Sequence, residues 1–203
     1  MREYDMELES ERLVMKKNVT KGSYEYLKNR KVQTVLWTLL LFEISASLFI
    51  AGIVTTGTKK NLLTIVAVLG ILPATRSFVT SFMYCKAKGC CAEWYDSHRE
   101  LIEQFKHGYY DLVFTTYERA YNVPVLVIKE GNVCGLTYDT KKPIKELEAH
   151  IESSLKKEKR NANVVIFDKE EDFLKRVEQI LQLEEKEPNK DDDRARILFE
   201  ISL

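Results

Sequence analysis

Charged residues nearly vanish from one stretch of the chain, between Val32 and Tyr84. This stretch contains two apolar runs, 32–56 and 62–84, and each exceeds the roughly 20 residues that a helix needs to cross a bilayer. A short polar turn, residues 57–61, separates them. The pattern predicts a transmembrane hairpin of two helices, because two soluble core helices of this length would need more surrounding protein than the remaining chain supplies.

Lysine and arginine are concentrated on one side of the predicted hairpin, and this bias sets its orientation. The turn between the runs carries only Lys59 and Lys60. The flanks carry Lys16, Lys17, Lys21, Lys28, Arg30 and Lys31 before the first run, and Lys86, Lys88 and Arg99 after the second. We therefore expect a multi-pass protein of the cell's inner membrane with both termini in the cytoplasm, and the pattern suits a bacterial protein.

Each apolar run contains one ionisable side chain, Glu43 in the first and Arg76 in the second. A charge within a membrane costs several kcal/mol unless it is paired or faces water, so both residues are candidate functional residues. Counted from the turn, they lie at similar depths, which allows an ion pair within one hairpin or between neighbouring hairpins. The alternatives are that Arg76 extends to the inner headgroups while Glu43 is protonated or contacts a Ser or Thr, or that both charges line a hydrated path.

Small residues recur along the second run at intervals of three and four, which places them on one helix face. They are Ala67, Gly70, Ala74, Ser77 and Ser81. Such faces let two helices approach closely in a membrane. A shorter series, Ser47, Ala51 and Thr55, lies on the first run. Since one series can serve the internal hairpin, the other would be left for a second copy of the chain.

The segments before and after the predicted hairpin are predicted to form two further parts of the protein. Residues 1–31 read as a charged segment with a helix over about 4–19. Residues 85–203 read as a cytosolic α+β domain in which helices cover a mostly antiparallel sheet, in the order α-β-β-β-α-β-α-β. The predicted elements are a helix at 93–107, strands at 111–117, 123–129 and 133–138, a helix at 143–159, a strand at 163–167, a helix at 169–184, and a strand at 197–203 after a solvated acidic loop.

This order of elements is similar to that of restriction-endonuclease-like folds. Their metal site needs an acidic residue on the second strand and a Glu-x-Lys or its equivalent on the third. Here the two strands read VPVLVIK and VCGLTYD, and neither supplies inward carboxylates. We therefore assign no nuclease activity.

No other catalytic or cofactor motif is found in the sequence. It has neither the GxxxxGK[ST] nor the GxGxxG pattern that binds phosphates. With 31 basic and 31 acidic residues the chain is neutral, which argues against nucleic-acid binding. Cys85, Cys90 and Cys91 lie just beyond the second run, but their spacing does not match a zinc site, so free thiols are the leading interpretation and lipidation an alternative.

Two hypotheses of function remain. In the leading one, the chain is a homo-oligomer whose spans associate in the lipid bilayer, with the cytosolic domains clustered as a ring, possibly around a channel-like conduit bearing Glu43 and Arg76. In the alternative, the hairpin is an anchor for a sensor or protein-interaction module. No catalytic residue, metal ligand or cofactor is assigned, and an enzyme is the least favoured class.

Overall fold

The computed structural model describes residues 20–58, 61–139, 141–184 and 188–203. The predicted helix at 4–19 lies outside these residues. The elements are helices α1 (Tyr26–Thr56), α2 (Leu62–Lys86) and α3 (Ala92–Ile102), strands β1 (His107–Thr115), β2 (Ala120–Lys129) and β3 (Asn132–Leu136), helix α4 (Ile144–Lys157), strand β4 (Asn163–Phe167), and helices α5 (Glu170–Leu181) and α6 (Pro188–Ile201).

The chain forms two compact units. The first, Lys28–Ala87, contains the long apolar helices and is called the hairpin below. The second contains residues 20–27 and Lys88–Leu203 and is called the sheet unit. Helices α1 and α2 are both long and apolar enough to cross a membrane. Within the most apolar 18 residues of each helix, only 17% of α1 and 11% of α2 is buried. This exposure differs from that of core helices in a soluble protein, which are mostly buried.

Four strands make one mixed sheet in the order β1-β2-β3-β4. The first three strands pair antiparallel, and β4 pairs parallel to β3. The turn between β2 and β3 consists of Glu130 and Gly131, both with positive φ, as a tight two-residue hairpin turn requires. The α+β class and the mostly antiparallel sheet are therefore as predicted.

Helices cover both faces of the sheet. On one face α4 and α6 pack through residues such as Leu147, Ile151 and Leu198. On the other face α3 and α5 pack through Trp94 and Phe173 among others. The sheet is thus buried on both sides, which explains why β2 reads as a continuous apolar run rather than an alternating one.

The alternation of side chains between the two faces of the sheet is interrupted at one point of β1 and β2, where Asp111 lies opposite Pro124 in the register. Residues two apart in a regular strand point to the same face of the sheet. Tyr110 nevertheless packs on the α3–α5 face and Leu112 on the opposite face, so the alternation of side chains is shifted by one residue here. Asp111 has a φ of 56°, which a bulged position allows. Proline is usually confined to a strand start or edge. Pro124 nevertheless lies inside the central strand β2, because the ladder is already interrupted opposite it.

The prediction of a last strand at 197–203 is wrong. Residues up to Ile201 belong to helix α6, and only Ser202 forms an isolated antiparallel bridge, with Phe114. Pro188 at the first helical position and Asp191 in the first turn are helix-start signals. They lie in the acidic segment that was interpreted as a solvated loop, so the apolar run after it was assigned to a strand.

Candidate functional site

The small residues of the second span line the inside of the hairpin. Ala67, Ala74 and Ser81 are buried. The Thr38 hydroxyl of α1 lies 2.8 Å from the hydroxyl oxygens of both Ser77 and Ser81. These polar contacts fix the register of α1 and α2 in the half of the hairpin that contains the start of α1 and the end of α2.

Two glycines allow the closest approach of the helices. A Cβ added to Gly70 would lie 2.8 Å from the Ser45 hydroxyl oxygen, and one added to Gly52 would lie 2.8 Å from Asn61 Oδ1. Asn61 caps α2 by accepting the N–H of Thr64, and it donates to the Gly52 carbonyl. The inner face of α1 is therefore Thr38, Ser45 and Gly52, which recur at a seven-residue interval that the sequence analysis missed.

Glu43 and Arg76 lie on the outside of the hairpin and are exposed. At about 100° per residue, Glu43 is roughly opposite the inner face of α1, and Arg76 is roughly opposite that of α2. The two side chains therefore point away from each other, and within the described residues no ion pair joins them. An ion pair within one hairpin, one of the predicted arrangements, is not formed.

The second small-residue series also faces outward. Ser47, Ala51 and Thr55 are all exposed, and with Glu43 they form a stripe of every fourth residue along α1. The hairpin thus uses one small-residue face for its own packing and leaves the other uncovered, next to a carboxyl group.

The cysteines and histidines do not converge on a site. Cys85 and Cys91 are exposed and Cys134 is buried. Burial is the main cause that raises the pKa of the Cys90 thiol to about 12 and that of Cys134 to about 11, so neither is an activated nucleophile. Among the residues that the structure describes, no group of three or more His, Cys, Asp or Glu could hold a metal ion.

One buried carboxylate, that of Asp111, binds both segments of the sheet unit that lead into and out of the hairpin in sequence. Asp111 is only 4% exposed, and it accepts hydrogen bonds from the backbone N–H groups of Glu25, Leu27 and Cys90. Residues 25 and 27 lie at the start of α1, whereas Cys90 follows α2. A Cβ on Gly89 would overlap the same carboxylate, so the connection also needs glycine there.

A second polar network holds the chain just after α2. Asn122 Oδ1 accepts the N–H of Lys88 at 3.0 Å, and the Asn122 side chain donates to Asp139 at 2.9 Å. Lys142 donates to the same carboxylate at 2.8 Å. Burial opposes ionisation of Asp139, but these hydrogen bonds outweigh it and lower the pKa of Asp139. Sequence patterns gave no signal for either network, because the partners are distant along the chain.

Three consecutive aspartates, interpreted as a solvated loop, each bind a different part of the sheet unit. Asp191 is 2% exposed and accepts the N–H groups of Glu130 and Gly131. Asp192 binds Lys106 and His107, and Asp193 binds Arg160. The acidic run therefore fastens α6 to the rest of the sheet unit through basic side chains and backbone N–H groups, although of the three aspartates only Asp191 is buried.

The sheet unit also has an open groove of about 620 Å³ at the β2–β3 turn. Its lining mixes acidic Glu130 and Glu152 with basic Lys156 and Arg194. Arg194 is already bound to Asp191 and to the Asn161 carbonyl. The groove is polar and of both signs, so its lining alone selects no ligand class.

Comparisons with protein-family models, with curated proteins and with solved structures gave no significant match.

Proposed function

We propose that this chain is an integral protein of the cell's inner membrane that self-associates through the outer faces of its hairpin. Both termini are cytoplasmic in this proposal, because Lys and Arg are concentrated on that side of the spans. The observation that carries the proposal is the outward position of Glu43 and Arg76 on surfaces that are otherwise apolar.

A charge facing lipid is costly, and an oppositely charged partner removes much of that cost. Glu43 lies about three residues from Arg76 along the hairpin axis. This offset follows from the register of the two helices, in which Thr38 contacts Ser77 and Ser81, and Ser45 lies against Gly70. This offset is about 4.5 Å, which long side chains span easily. Since one hairpin holds them on opposite sides, Glu43 of one copy is suited to pair with Arg76 of another.

The outer stripe of Ser47, Ala51 and Thr55 gives such a contact a close-packing surface beside Glu43. Each copy presents one acidic and one basic outer face, so the contact is head-to-tail and repeats. A repeating contact of this kind closes into a ring when the rotation between copies permits it. A ring would cluster the cytosolic sheet units and could surround a channel-like conduit.

The test is the mass of the detergent-solubilised full chain, measured by light scattering. We expect a multiple of the single-chain mass for the natural sequence. Glu43→Gln and Arg76→Gln should each weaken association by about 100-fold, because the remaining charge loses its partner. The charge exchange Glu43→Arg with Arg76→Glu should restore association, whereas Glu171→Gln on the sheet unit should leave it unchanged.

A monomeric natural chain would overturn the proposal, as would a charge exchange that associates no better than the single variants. Either result favours the second candidate function, a hairpin that anchors a sensor or protein-interaction module. The open groove beside Lys156 and Arg194 is the observation that favours this alternative.

A further inference from the structure

One side of α1 carries an open hollow with a volume of about 160 Å³. Its lining consists of Gln33, Leu36, Trp37 and Leu40, and it is called the Trp37 hollow below. These four residues stand at positions i, i+3, i+4 and i+7 of one helix. Four residues at this spacing form the hole that receives a single side chain of a facing helix in coiled-coil packing. The hollow therefore has the form of a contact site for another helix.

The Trp37 hollow faces away from α2 of the same hairpin. Leu36 is 58% exposed and Trp37 is 56% exposed. Leu36 precedes Glu43 by seven residues, so at about 100° per residue the two lie on the same outer side of α1. The inner side of α1 is the one that carries Thr38, which contacts the serines of α2. An occupant of the hollow therefore comes from outside its own hairpin.

The charges of the hairpin indicate which helix is suited to the hollow. In the proposed assembly Glu43 of one copy pairs with Arg76 of the next, which brings the outer side of α1 against the outer side of a neighbouring α2. Copies inserted in the same direction present these two helices antiparallel to each other, as they are within one hairpin. A ring about an axis perpendicular to the membrane also keeps all copies at one depth. The register within one hairpin then applies between hairpins.

This register gives the level of the Trp37 hollow on the neighbouring α2. Thr38 contacts both Ser77 and Ser81, so residue 38 is level with about residue 79. The hollow is centred between residues 36 and 37 of α1, because these are the middle two of its four lining residues. Since the helices are antiparallel, the centre is level with about residues 80 and 81 of the neighbouring α2.

Two side chains of α2 lie near this level on the same side as Arg76. They are Val79 and Met83, three and seven residues beyond Arg76, and both are at least partly exposed. Side chains of a helix tilt toward its N-terminus. In α2 this tilt carries the end of Met83 back toward the level of residues 80 and 81, and it carries Val79 away from that level. Met83 is therefore the side chain that is placed to enter the hollow.

We propose that Met83 of one copy inserts into the Trp37 hollow of the next copy, and that this contact fixes the register between hairpins. Methionine fills irregular space, and its sulfur makes favourable contacts with aromatic rings such as that of Trp37. The inference rests on the self-association given as the proposed function. It adds the pair of side chains that makes the contact between copies specific, next to the charge pair of Glu43 and Arg76.

Photo-cross-linking of the full chain in phosphatidylcholine vesicles tests the contact directly. The photoreactive residue p-benzoylphenylalanine replaces Leu36 in the hollow or, as a control, the exposed Phe42, which lies about 120° away round α1. Unlabelled chains and chains labelled with heavy nitrogen are mixed before reconstitution, so that a cross-link of mixed isotopes identifies a contact between copies. We expect position 36 to link to the peptide that contains Met83 of another copy. Position 42 should not form this link.

Substitution of the two side chains measures whether they act together. Trp37→Ala and Met83→Ala should each weaken association by about tenfold, because each removes the contact of sulfur and ring. The double variant should lose little more, since either change alone already removes that contact. Phe42→Ala is the matched aromatic control and should leave association unchanged. Light scattering over a series of chain concentrations in detergent measures these differences.

The outcomes distinguish this inference from the proposed function. An assembled natural chain in which position 36 links only to lipid, to the sheet unit or to a part of α2 without Met83 overturns the inference and leaves self-association intact. Losses in the double variant that equal the product of the two single losses also overturn it. A natural chain that stays monomeric overturns the inference and the proposed function together.

Discussion

Asp111→Ala is expected to lower the free energy of unfolding of the sheet unit by about 4 kcal/mol. The change removes the acceptor of the N–H groups of Glu25, Leu27 and Cys90. Leaving a buried donor without a partner costs about 1–3 kcal/mol, and some of these donors regain water when the segments move. Alanine at a φ of 56° adds about 1 kcal/mol of strain. Urea unfolding of the full chain in detergent measures the loss.

Two comparisons show whether the carboxylate itself is responsible. Asp111→Asn keeps one acceptor oxygen and tolerates positive φ, so it should lose about half as much. Asp96→Ala, at an exposed position of α3, should change stability by less than about 0.5 kcal/mol. Hydrogen exchange at the amides of residues 25, 27 and 90 should accelerate in Asp111→Ala. Unchanged exchange and unchanged stability would contradict the role of Asp111 in binding the two segments.

The same group gives a pH dependence with a definite sign. Burial raises the pKa of Asp111, although the N–H groups of Cys90, Leu27 and Glu25 act in the opposite direction. A carboxyl group with a raised pKa holds its proton more tightly in the folded state, so folding becomes less favourable as its proton is lost. Stability should therefore fall as pH rises from the ordinary carboxyl range to the raised pKa, and Asp111→Asn should remove this decline.

Asp191→Ala is expected to cost about 3–5 kcal/mol, because it leaves the largely buried Arg194 without its ion-pair partner. The N–H groups of Glu130 and Gly131 lose their acceptor as well. Urea unfolding measures the cost. The double replacement Asp191→Leu with Arg194→Leu should recover much of it, since it removes both charges together.

Asp192→Ala serves as the control for Asp191→Ala within the same acidic run. The Lys106 hydrogen bond lowers the pKa of Asp192, but the side chain is half-exposed, so the loss should be much smaller. Equal losses in the two variants would mean that the run acts only through its total charge. A loss confined to Asp191 would show that its buried contacts hold α6 to the β2–β3 turn.

The sequence predicted the parts of the fold that depend on local pattern. Long apolar runs define α1 and α2, and the helical spacing of Leu147, Ile151 and Leu155 defines the buried face of α4. The short gap between the predicted strands 123–129 and 133–138 likewise indicates the tight turn that the structure has at Glu130 and Gly131. These elements have strong local signals because length, period and turn chemistry are written in consecutive residues.

Other features depend on contacts between distant residues and could not be predicted. Asp111 binds N–H groups from both sides of the hairpin, and Asp191 binds a turn about 60 residues away in the chain, as its hydrogen bonds to Glu130 and Gly131 show. Helix α6 was missed because its apolar end has the composition of a strand. The outward position of Glu43 and Arg76 depends on which face of α1 packs inward, and two small-residue series competed for that role.

Membrane insertion of the hairpin is the claim on which the proposals depend, and alkaline extraction of cell membranes tests it most directly. Alkaline carbonate releases proteins that are bound only to the membrane surface, whereas helices buried in hydrocarbon stay in the bilayer. We predict that the full chain remains in the membrane pellet after this treatment and dissolves only when detergent is added. A chain that is released by carbonate and remains dispersed without detergent would contradict the account.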